Sequence, residues 1–260
     1  MSSATLPSPT APARRAEARR PSLLHLTAVE LRKSTDTRAG RWLLVAVGVL
    51  ALVGLAYRLW NAGEVPTAYR AYVGTALDAC GDLLPVLAVL AMTSEWTQRT
   101  ALTTYALVPR RGRVLTAKLA AVLLVGAAVV GVVAAVAALA ALVGAQLAGD
   151  QVSWDGAGRV LGGQLLTTLL LVLLGAALGA LVQQTPAALV LYFVAPVLVT
   201  VAGSALLGEG VEWLSVLTAT SRVGALDLSG AVAPTLVALA LWIALPLAAG
   251  TVRTLRRDVS

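Results

Sequence analysis

The sequence predicts an all-α, polytopic membrane protein: six transmembrane helices, an interfacial helix before the first, and a polar helix between the second and third. Three observations predict it. Of the 260 residues, 58% are hydrophobic and only 13% charged, where a soluble domain carries about 25% charged residues. The apolar residues, with a mean hydropathy of +0.83, fall in runs long enough to cross ~30 Å of hydrocarbon. The basic residues gather at alternate ends of those runs, as the positive-inside rule requires.

The predicted spans are residues 42–59, 73–93, 119–148, 160–182, 187–207 and 231–252. Backbone groups in lipid must be satisfied within their own segment, and runs this long and uniformly apolar do not suit barrel strands, so each span is a helix. The third is 30 residues without a charge, long enough to tilt or to pass beyond the bilayer. Gln183-Gln184-Thr185-Pro186 makes the tight turn between the fourth and fifth. Pro85, Pro196 and Pro246 fall inside spans and should kink or break them. The run GAALGAL, residues 175–181, offers small residues for close helix packing; a compositional bias, seen in eighteen Arg against two Lys, explains it equally well. Five of the six tryptophans flank spans as interface anchors do, while Trp242 stands within the sixth.

The net charge is +7. Sixteen of the 20 basic residues lie before residue 42, between 99 and 118, or after 252. This bias predicts a multi-pass protein of a bacterial cytoplasmic (plasma) membrane, with both termini and the 94–118 segment in the cytoplasm. The Arg clusters thus follow topology, and no basic groove with interleaved aromatics points to nucleic acid. Cys80 is the only cysteine and His25 the only histidine. An intrachain disulfide is excluded, and a His/Cys metal site within the chain is not expected; no residue reads as catalytic, cofactor-binding or metal-binding.

Residues 1–21, rich in Ser, Pro, Ala and Arg, cannot bury an apolar face and are expected to be a disordered cytoplasmic N-terminus; they do not read as a signal peptide. Residues 22–40 form the interfacial helix and its lead into the transmembrane domain, 41–260. Leu24, Ala28 and Leu31 share one side of that helix, with His25 and Arg32 roughly opposite, although Glu30 between the leucines spoils the pattern.

The segment SEWTQRTALTTYALVPRRGRVLTAK, residues 94–118, interrupts two apolar runs with a polar one. Glu95 and Arg99 stand at i,i+4 in the favourable order on a helix of about three turns. Pro109 stops it, and Arg110, Arg111, Gly112 and Arg113 make a basic turn. A connection with its own helix exceeds what adjacent spans need and offers a handle to a soluble partner.

Glu95-Trp96-(x2)-Arg99-Thr100, then Pro109-Arg110-Arg111-(x)-Arg113 and Ala117-Lys118, resembles the first intracellular loop of type-two ABC transporter permeases, especially small actinobacterial ones. Glu30-Leu31-Arg32-Lys33 looks like their elbow helix, and Arg256-Arg257-Asp258 like their ending. The run Thr97-Gln98-Arg99-Thr100 departs from the Arg-His-Gly-Thr the family often has. The resemblance implies the permease subunit of an ATP-driven exporter. The loop would then be a coupling helix, with Glu95, Trp96, Arg99, Thr100, Pro109, Arg110 and Arg111 at the ATPase subunit. The assembly would hold two permeases, identical or not, and two ABC ATP-binding subunits. Short helices in the outer loop 208–230 would close the exit. The chain has no G-x-x-x-x-G-K-[ST], so ATP is expected on the partner and no cofactor in this chain. An apolar cavity with few charges suits a lipophilic cargo.

Asp78 and Asp82, four residues apart in the second span, are expected on one helical face toward its outer end. They are candidates for a polar patch in the substrate path, or for the proton site of a secondary transporter, the alternative function. A hydrated position at the outer interface explains them as well. A membrane enzyme would need a cluster of His, Asp, Glu, Ser or Cys facing one cavity, and the lone His lies outside the spans.

Overall fold

The computed structural model describes residues 22–64, 67–97 and 111–256. Among them, six helical segments are long and apolar enough to cross a membrane. Helix α1 (Leu23–Asp36) is separated from α2 (Arg38–Trp60), the first span, by Thr37 alone. Thr37 serves both helices: its N–H donates to the Lys33 carbonyl, and its hydroxyl caps α2 by accepting from Gly40 N–H. The second span is two helices, α3 (Tyr69–Cys80) and α4 (Leu84–Thr97), joined by the 3₁₀ turn Gly81–Leu83. The third is α5 (Arg111–Ala148), the fourth α6 (Ala157–Val182) and the fifth α7 (Thr185–Leu207), which runs into a 3₁₀ turn, Gly208–Trp213. Short α8 (Val216–Gly224) precedes the sixth span, built from α9 (Val232–Leu239), a π-helical turn (Ala240–Ala244) and α10 (Leu245–Arg256). The all-α class and the six-span layout are as the sequence predicts. The spans extend further than hydropathy suggests: the second begins at Tyr69 and the third at Arg111. Helical hydrogen bonding continues past the apolar run until a breaker stops it. Residues 1–21 and most of the polar island, 98–110, lie outside the described residues.

The prolines behave differently from one another. Pro85 does not interrupt a helix; it sits in the first turn of α4, just after the 3₁₀ break, where a missing N–H costs nothing. Pro196 lies inside an unbroken α7. Pro246 follows the π-turn, where the Leu245 N–H reaches back to the Ala240 carbonyl. Widening the turn there accommodates a ring that would otherwise press on the carbonyl four residues earlier.

Helix α6 is the spine of the bundle, and its most extensive contact is with α4. The GAALGAL run explains how. A methyl on Gly175 would lie 2.5 Å from the Pro85 carbonyl oxygen, and one on Gly179 3.0 Å from the Met92 Cβ. From the other side, a methyl on Gly250 of α10 would lie 2.6 Å from the Ala180 carbonyl carbon. The run is therefore a packing device. Val47, Leu55, Tyr72, Val122 and Val172 fill the main core between the first four spans. Spans one and five are peripheral, at 22% and 11% buried along their most apolar windows.

The end of the bundle away from the termini is tied by short polar links. Tyr69 N–H donates to Ser153 O (3.0 Å) and Ser153 N–H to Thr67 O (3.2 Å). Thr67 Oγ1 donates to Asp150 Oδ2 at 2.7 Å, which with the Gln151 N–H holds that carboxyl below its ordinary value. Helix α8 packs on α6. Its N-cap Ser215 shares a 2.8 Å hydrogen bond with Thr200, and Arg222 pairs with Glu212 at 2.6 Å. Trp242, the tryptophan that did not fit the anchor pattern, donates its indole N–H to Leu214 O at 2.7 Å.

Gly175→Val should destabilise the protein by about 1–3 kcal/mol, the usual cost of overpacking. Gly131→Val, where nothing lies within 4 Å of the added carbon, should leave stability unchanged. Unfolding of both variants in detergent micelles measures this.

Candidate functional site

At the end of the bundle that carries α1 and the roots of the 98–110 segment, four charged side chains from three helices meet. Lys118, near the start of α5, is 5% exposed. Its ammonium lies 3.2 Å from Glu30 Oε2 of α1, 3.2 Å from Glu95 Oε1 of α4, and donates to the Ala91 carbonyl at 3.0 Å. One hydrogen bond to a carbonyl and two ion pairs thus offset the burial of its charge. Lys33 of α1 closes the square, at 2.7 Å from Glu30 Oε1 and 3.2 Å from Glu95 Oε1. Each carboxylate meets both ammonium groups, and the cluster is neutral. Glu30 and Glu95 are both buried, at 7% exposure.

The cluster explains the imperfect amphipathicity of α1. Its buried residues are Thr27 and Glu30, while Leu24 is 83% exposed. The helix docks on the bundle by Thr27 and Glu30 and presents Leu23 and Leu24 outward, as a helix at a lipid interface should.

Burial lowers the Lys33 pKa, but the hydrogen bond and charge of Glu30, followed by those of Glu95, outweigh it. The net value is raised above 10.5. A raised lysine value means the folded chain favours the ammonium. The contribution to stability is therefore whole below pH 10.5 and is lost as the pH climbs through the raised value.

The downstream root is tied separately. Arg111 Nη1 donates to Thr254 O in α10 at 3.1 Å. Thr254 Oγ1 in turn accepts from Gln183 Nε2 at 3.1 Å, and Arg253 Nη1 donates to Leu181 O at 2.6 Å. Thr93 and Thr185 share a 2.7 Å hydrogen bond. Of the residues the sequence assigned to a coupling role, the structure thus places Glu95 in the buried cluster and Arg111 against α10, with Trp96 beside the turn into α7. Arg99, Thr100, Pro109 and Arg110 lie outside the described residues. The partnership of Glu95 with Lys33 and Lys118 escaped the sequence, which offered only the local Arg99. The available signal was that both lysines of an Arg-rich chain, and the misplaced Glu30, belong to one cluster.

Asp78 and Asp82 are both exposed, but they do not share one continuous helix. Helix α3 ends at Cys80, and Asp82 stands in the 3₁₀ turn. The span is 29 residues long, and Asp82 lies about 20 Å from its start at 1.5 Å per residue, close to the middle. Asp78 accepts from Gln164 Nε2 of α6 at 3.3 Å.

Fold and composition together define a multi-pass, all-α membrane protein. The chain matches no protein-family model, and no curated protein is significantly similar to it.

Lys118→Met leaves two buried carboxylates with one shared cation and should cost about 3–5 kcal/mol. Adding Glu30→Gln should recover part of that loss. Lys33→Met should cost less, because its side chain is 47% exposed, and its penalty should stay constant over about pH 6–9. Thermal unfolding in detergent across that range tests all three; equal small losses for the two lysines would contradict the account.

Proposed function

We propose that this chain is the permease subunit of an ATP-driven ABC exporter, with both termini and the 98–110 segment in the cytoplasm. A separate ABC ATP-binding subunit would dock on that segment. The observation that carries the reading is the buried square of charges at the root of the segment. It joins α1, α4 and α5, so a push delivered to residues 98–110 would reach the elbow helix and two spans together rather than bend one loop. The Arg111 tie to α10 extends the same link to the sixth span. The bias of sixteen of 20 basic residues toward this end supports the orientation. The working unit would hold two permeases and two ATPases. The predominantly apolar spans suit a lipophilic cargo, and α8 with its flanking turn would cover the outer exit.

A second reading has one observation in its favour: Asp82, exposed near the middle of its span, is where a proton-coupled transporter would carry a carboxylate. Insertion scales put such a group at ~2.5 kcal/mol or more in lipid, so an aqueous path or a partner must offset it.

Labelling tests the orientation cleanly, because Cys80 is buried and is the only native thiol. A membrane-impermeant maleimide should react with Thr103→Cys or Thr104→Cys only from the cytoplasmic side. Reaction only from outside would remove the proposal. Co-purification with an ABC ATP-binding subunit should be lost on deletion of residues 98–110. Glu95→Ala is a poor probe of docking, since it also breaks the charge cluster. Asp78→Asn and Asp82→Asn should leave ATP-driven transport largely intact; abolished transport at normal expression, with a lost pH dependence, would favour the second reading.

A further inference from the structure

A polar cleft opens beside the turn between spans four and five, at the end of the bundle that carries the charge cluster. It has a volume of about 300 Å³, and Trp96, Thr97, Gln184, Thr185 and Arg253 line it together with Pro186. Arg253 uses one N–H on the Leu181 carbonyl, of the five its guanidinium carries. Among the described residues that line the cleft, Arg253 supplies a positive charge and none is a carboxylate. The hydroxyls of Thr97 and Thr185, 3.3 Å apart, stand at its wall, and the amino-terminal turn of the 23-residue helix α7 faces it.

The cleft does not end at Pro186. The same proline begins an apolar groove of about 470 Å³ that runs up the exposed side of α7 past Val190, Leu191, Val194, Ala195 and Leu198. From Pro186 to Leu198 the groove rises about 18 Å at 1.5 Å per residue, close to the ~15 Å depth of one hydrocarbon leaflet. A positive, hydroxyl-lined cleft thus lies at one end of an apolar track one leaflet deep. Indole and guanidinium groups at that boundary are what an interfacial headgroup meets.

From this continuity we infer that the α7 face is a binding site for one anionic phospholipid of the leaflet at the Arg-rich end. Its phosphate occupies the cleft beside Arg253, and an acyl chain lies along Val190, Val194 and Leu198. Phosphate would accept charge-assisted hydrogen bonds from the guanidinium. The chain would cover the least buried of the six spans. The site can be tested without an ATPase partner, because Arg253 and the α7 groove lie outside the 98–110 segment.

The test uses full-length protein in neutral detergent, with bound lipid counted by native mass spectrometry during delipidation. The last lipid to leave should be phosphatidylglycerol rather than phosphatidylcholine, by about fivefold, the preference one arginine near a headgroup supplies. Arg253→Gln should bring that ratio to about one, and Arg253→Lys should keep most of it. Val194→Trp, which fills the groove, should lower retention of both lipids while leaving the protein monodisperse. An unchanged ratio in Arg253→Gln would overturn the site. So would displacement of the lipid by millimolar inorganic phosphate, which would make the groove irrelevant. A Val194→Trp variant that alters only the oligomeric state would assign the groove to a second copy of the chain instead. Should Arg253→Gln fail to fold, the Lys and Trp variants decide the question by the same readouts.

Discussion

The Lys118 ammonium has three hydrogens and, at 5% exposure, almost no water to receive them. The Ala91 carbonyl accepts one, and Glu30 and Glu95 pair with the charge at 3.2 Å. Removing any one partner leaves a charge stranded in a medium that cannot solvate it. The relative positions of α1, α4 and the start of α5 follow from that requirement more than from hydrophobic contact, since lipid offers apolar faces no reason to prefer each other over acyl chains. Lys33 then completes the square and brings the cluster to neutrality, which is how four ionised groups persist so close to hydrocarbon.

Above this anchor the bundle is organised by backbone proximity. Gly175 and Gly179 let α4 lie against α6, and Gly250 lets α10 approach from the other side. At the far end, the order is set by hydrogen bonds from side chains to carbonyls that end helices: Arg159 to Ala225 and Trp242 to Leu214. The π-turn at Ala240–Ala244 is where Pro246 and Trp242 are reconciled, one forbidding a regular hydrogen bond and the other holding the Leu214 carbonyl before α8. Polar interactions thus fix both ends, and small residues fix the middle.

Much of this was legible in the residues. Hydropathy located all six spans to within a few positions at most ends, and the Gln183–Pro186 turn fell where it was read. The errors have physical causes. Hydropathy measures where apolar residues stop, not where helical hydrogen bonds stop, so Tyr69 and Arg111 were missed as span starts. The 3₁₀ break at Gly81–Leu83 leaves no hydropathy trace, and so Asp78 and Asp82 were placed on one helix. The i,i+4 rule finds Arg99 for Glu95 because it looks only along the chain. The long-range partners Lys33 and Lys118 are invisible to any local rule. Glu30 was read as a flaw in an amphipathic pattern when it was the residue that docks the helix. Trp242, likewise an exception to an interface rule, is explained only by a carbonyl brought near by the fold.

The interrupted second span bears on how the protein is made. It is the least apolar of the six, at a hydropathy of 1.6 against 2.8 for the third, and it carries three carboxylates, Asp78, Asp82 and Glu95, and a helix break. Emerging alone from a ribosome, it would partition into the bilayer poorly. The strongly apolar third span follows it, and Lys118 needs Glu95 before either can rest in a dry environment. The two segments are therefore suited to leave the translocon as a pair, the second waiting at its lateral gate for the third.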